Sequence, residues 1–121
     1  MSVEGEVRTR RPNVEVLIKR EAIAVLKPII ADLPDWQNRA ANLIGAGEHA
    51  RSRGQFDQAR LKEALALSEA IRLRRNELEE SMREWPPAVS DNGRVRDAIR
   101  ALDSVAITAS RACFLLAARR N

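Results

Sequence analysis

Residues 54–85 read GQFDQARLKEALALSEAIRLRRNELEESMREW, with no proline and no glycine after the first position. Alanine, leucine, glutamate and arginine dominate the stretch, the residues that lose least on entering a helix. It predicts one long helix of roughly 45 Å at 1.5 Å per residue. The rest of the chain reads as shorter helices laid along it, so the fold class is all-α.

Working back from Gly54, residues 35–51 carry Trp36, Ala40, Leu43, Ile44, Gly47 and Ala50 at three- and four-residue steps, the spacing of one helical face. Asp32 and Asp35 suit the start of this second helix, where carboxylates meet the positive end of the dipole. Gly54 punctuates, so the second and third helices should form an antiparallel hairpin. Upstream, Val14, Ile18, Ala22, Val25, Leu26, Ile29 and Leu33 mark a first helix opening at Asn13. Pro28 removes a backbone donor and crowds the preceding turn, which predicts a kink or break near Lys27.

Downstream, Pro86 and Pro87 stop the long helix, and Ser90 or Asp91 is the expected cap of a fourth. Its stripe is Val95, Ala98, Ile99, Leu102, Val105, Ala106, Ala109, Ala112, Cys113 and Leu116, with Ile107, Phe114 and Leu115 off it. The expected architecture is a four-helix antiparallel bundle over residues 13–121, with a long third helix and a proline-kinked first one. Residues 1–12 read as a mobile basic arm.

The hairpin resembles one tetratricopeptide repeat: Gly47, Ala50, Gly54, Phe56, Ala59, Ala66 and Leu67 fall near the small, aromatic and alanine positions of that motif. No second copy lies one repeat length, about 34 residues, before or after, and such repeats need stacked neighbours. Peptide binding is therefore not carried over.

At 121 residues, 45% apolar and 31% charged, the composition is that of one soluble globular domain. Its apolar runs fall short of a membrane span, and MSVEGEVRTRRPN lacks the apolar core of a secretory signal. One cysteine, Cys113, cannot form an internal disulfide. These features predict a cytoplasmic chain without membrane contact.

Chemistry-bearing groups are few. The single histidine, His49, has no second histidine or cysteine at metal-ligand spacing, and Cys113 lies in an apolar stripe. Neither a Glu-x-x-His pair nor a phosphate-binding glycine loop is present. No catalytic residue, metal ligand or cofactor is assigned, and the chain reads as a non-enzyme.

Function is expected in a helix surface. If the third helix folds back on the second at Gly54, its last dozen residues project about 18 to 20 Å beyond the hairpin. Leu78, Met82 and Trp85 there, with Phe114, are the candidate partner-binding residues, for another protein or a second copy of the chain. Adaptor, chaperone-like and inhibitor roles all fit. The alternative is a nucleic-acid-binding bundle: the net charge is +4, with eighteen arginines against three lysines. Its candidate phosphate contacts are Arg8, Arg10, Arg11, Arg51, Arg53, Arg72, Arg74 and Arg75, and binding would be strongly salt-dependent. Whether those arginines converge in space decides between the two.

Overall fold

The computed structural model describes residues 14–117, and the arm at 1–12 lies outside them. Four helices account for nearly all of the described chain: α1 (Val14–Ser52), α2 (Gln58–Arg83), α3 (Pro87–Ser90) and α4 (Gly93–Ala117). There is no strand among the described residues.

The longest helix is α1, at 39 residues, with Pro28 and Pro34 inside it. This corrects two expectations: the chain does not start a separate helix at Asp32 or Asp35, and the long helix is the first rather than the third. The physical reason is the stripe Ala22, Leu26, Ile29, Leu33, Trp36, Ala40, Leu43 and Ala50, whose members are all buried on one side of α1. Each proline costs about 3 kcal/mol in a helix interior. Full burial of each large apolar side chain returns about 1.5–3 kcal/mol. Both prolines are exposed, as are Ala24 and Ile30, whose carbonyls lose their usual donors, so water can satisfy them.

The α1–α2 turn falls at Gly54, which has φ 65°. The Gln55 amide donates to the Ala50 carbonyl at 2.8 Å and the Gly54 amide to that of Arg51 at 3.1 Å. That pair of bonds closes a helix end and needs the left-handed residue glycine supplies without steric cost. Three residues later Asp57 caps the start of α2, its carboxylate accepting from the Arg60 amide at 3.0 Å. At the far end, Pro87 begins the single turn α3, and Asn92 caps α4 by accepting from the Arg94 amide at 2.9 Å. The cap is Asn92 because Ser90 is taken up in α3 and Asp91 closes it.

Contacts fix the directions. Gly47 lies against Leu115 and Leu116, and Ala22 and Leu26 share a groove with Val95, so α1 and α4 run the same way. Arg74 reaches Asp32, and Arg75 reaches Asp103, so α2 runs back between them. The core is apolar throughout, with no buried polar or charged residue among those described.

Candidate functional site

Leu78, Met82 and Trp85 do not project. Because α1 continues through its prolines, its N-terminal half lies along the second half of α2, and Ala22 and Leu26 join Leu78 and Trp85 in one core. Leu78 is fully buried and Trp85 is 7% exposed, while Met82 is half-buried against the same core. Leu78 and Trp85 are thus packed into the chain's own interior. Only Phe114 of the four stands outside, on the same helix as the more exposed Ile107, and the Arg51 guanidinium sits 5.9 Å from its ring centre.

Nor do the described arginines converge. Arg72 pairs with Glu69 along the exposed side of α2, and that hydrogen bond holds the Glu69 carboxyl below its usual range and the Arg72 guanidinium above its own. Arg74 turns to Asp32 of α1 at 3.3 Å, and Arg75 to Asp103 of α4 and to Glu79. Three neighbours in sequence therefore leave α2 in three directions, each already matched to a carboxylate. Arg53 is exposed near the turn, and Arg8, Arg10 and Arg11 lie outside the described residues. Among the described residues no cluster of three metal-ligating side chains occurs and no helix is long and apolar enough to cross a membrane. His49 is exposed, and burial pushes the half-buried Cys113 thiol up.

A different surface stands out. Between the N-terminal halves of α1 and α4 runs a groove of about 310 Å³, floored by Ala22, Leu26, Val89 and Val95. It continues past Ile23 to Ile30. Ile23 is 53% and Ile30 52% exposed, a heavy loss of apolar burial for two β-branched side chains. Lys19, Lys27 and Arg94 rim the groove, and no carboxylate lines it. None of these three cations has an ion-pair partner among the described residues.

The groove exists because each isoleucine sits one residue beyond a core position, Ala22 or Ile29, and so is turned toward the edge of the α1–α4 contact. One signal was legible: Val16, Ile23 and Ile30 recur every seven residues, parallel to the core stripe but off it. The other wall, from Val89, Asn92 and Arg94, is about sixty or more residues away in the chain and left no trace in the local pattern. Comparison with protein-family models, curated proteins and solved structures returns no match, so function is read from these residues alone.

Proposed function

We propose that this chain is a helical protein–protein interaction module that acts through the α1–α4 groove and not through catalysis, in a cytoplasmic setting. The observation that carries the reading is the pair Ile23 and Ile30, each more than half exposed beside buried Leu26, with a rim whose charged groups are all cations. An apolar floor gives affinity when water leaves it, and the rim selects the sign of the partner. An acidic, amphipathic protein surface meets both requirements. In this reading the bend expected at Pro28 shapes the groove wall. The phosphate-binding alternative draws less support, since Arg72, Arg74 and Arg75 already face carboxylates.

The test is a fluorescence-anisotropy titration with a labelled synthetic helix bearing leucines seven residues apart and glutamates between them. The wild-type chain should bind it, and the double variant Ile23→Asp, Ile30→Asp should bind at least tenfold more weakly while keeping its helical circular dichroism. A labelled DNA duplex runs beside it. Binding of the duplex at low salt, with none of the peptide, would sink the interaction reading in favour of phosphate contacts.

A further inference from the structure

We infer that the occupant of the groove is a second copy of this chain, entering through the outward face of α2. The inference rests on the docking reading above and names its partner. Leu73, Glu77, Glu80 and Glu84 follow one another at steps of four, three and four, which places the first three on one stripe of α2 and Glu84, its C-cap, in line with them. All four are exposed, Leu73 by half. Glu80 and Glu84 have no ion-pair partner among the described residues, and Glu77 has only Arg74 at 4.0 Å. No residue of α2 lines the groove, so ridge and groove are separate surfaces of one molecule.

The two surfaces match in sign, chemistry and length. The ridge offers one apolar anchor and three carboxylates. The groove offers two isoleucines and three cations without ion pairs. Leu73 to Glu84 and Lys19 to Ile30 each cover eleven residue steps, about 16 Å at helical rise. A groove-to-groove dimer would instead set six cations against one another, the arrangement electrostatic complementarity disfavours. Ridge into groove is a head-to-tail contact. Each added molecule leaves one ridge and one groove open, so assembly grows until a ring closes or the chain supply ends.

Light scattering on the full chain over a wide concentration range tests this. Wild-type mass should rise with concentration, and less so when salt goes from about 150 mM to 500 mM, because screening shortens the reach of the charges. Ile30→Asp spoils the groove and Leu73→Asp the ridge. Each alone should raise the dissociation constant at least tenfold, with unchanged circular dichroism, as both sites are exposed helix positions. Mixed in equal amounts, the intact ridge of the first variant should enter the intact groove of the second and stop at a 1:1 dimer. A wild-type chain that stays monomeric throughout overturns the inference, yet leaves peptide docking standing if the anisotropy titration succeeds. A Leu73→Asp chain that assembles as wild type does, or a mixture that stays monomeric, also overturns it.

Discussion

Helices α1 and α4 share the most extensive contact in the molecule, and they meet differently at its two ends. Near their C-termini a methyl group at Gly47 would stand 2.8 Å from the Leu115 Cβ, and Ala109 and Ala112 are wholly buried. Near their N-termini the filling is large, with Leu26, Ile29, Trp85, Val89 and Val95, and a groove stays open at the surface. The same alternation of three- and four-residue steps runs through both ends. Patterning thus decides which faces meet, and side-chain volume decides how close they come. Where small residues bring the backbones together no docking surface is left.

The strongest way to break this comparison is at the wide end. Trp85→Ala should cost about 3–5 kcal/mol of folding stability in urea denaturation, as expected for emptying an enclosed aromatic site. An anchor for a partner would behave otherwise, weakening association and leaving the lone chain's stability unchanged. The tight end is next. Gly47→Ala should cost about 1–3 kcal/mol, because the obstacle is the Cβ of Leu115, close to the backbone, rather than a mobile side-chain tip. A neutral result there would mean the helices can part cheaply, and that volume does not set their approach.

The course of α1 was legible, though not from its prolines. Positions 22, 26, 29, 33, 36, 40, 43, 47 and 50 alternate steps of four and three with no phase break at Pro28 or Pro34. The local pattern divides that run at its prolines, because their cost is visible in the sequence while the compensating burial is contributed by α2 and α4. With the run divided at Pro28, only the last helix is left to cover one side of Leu78 and Trp85, whereas in the structure the N-terminal half of α1 shares their core. By contrast α4 read correctly, since Val95, Ala98, Leu102, Val105, Ala109, Ala112 and Leu116 are all buried as spaced. The turn at Gly54 was readable for a local reason, a backbone conformation that favours glycine. The groove was not, for its walls come from distant segments and its edge is set by the single turn α3.

Smaller effects sharpen the contrast. Gly45, two residues before Gly47, has nothing within 4 Å of an added Cβ. Gly45→Ala should therefore stabilise the chain by about 0.5–1 kcal/mol, from helix propensity alone. A cost here instead would show that the tight contact extends further along α1 than Gly47. Thermal or urea denaturation of the two alanine variants side by side reads the opposite signs directly.

The smallest effect is expected at Cys113, on the closely packed half of α4. Burial raises its thiol pKa, against a weaker opposing hydrogen bond from its own backbone. The fold therefore favours the protonated thiol. Its contribution to stability is complete below the unfolded pKa and is lost as pH rises through the folded one. Wild type and Cys113→Ala should accordingly differ slightly in the pH dependence of their urea midpoints, with wild type declining more on the alkaline side. Alkylation offers a second readout, since the thiolate is the reactive form. At one pH the folded wild type should react more slowly than the urea-unfolded chain, and Gly47→Ala, by prising the tight end apart, should move the rate toward the unfolded value. Equal rates in folded and unfolded wild type would mean that the close approach at Gly47 does not shield the thiol, and the tight end would lose its protective character.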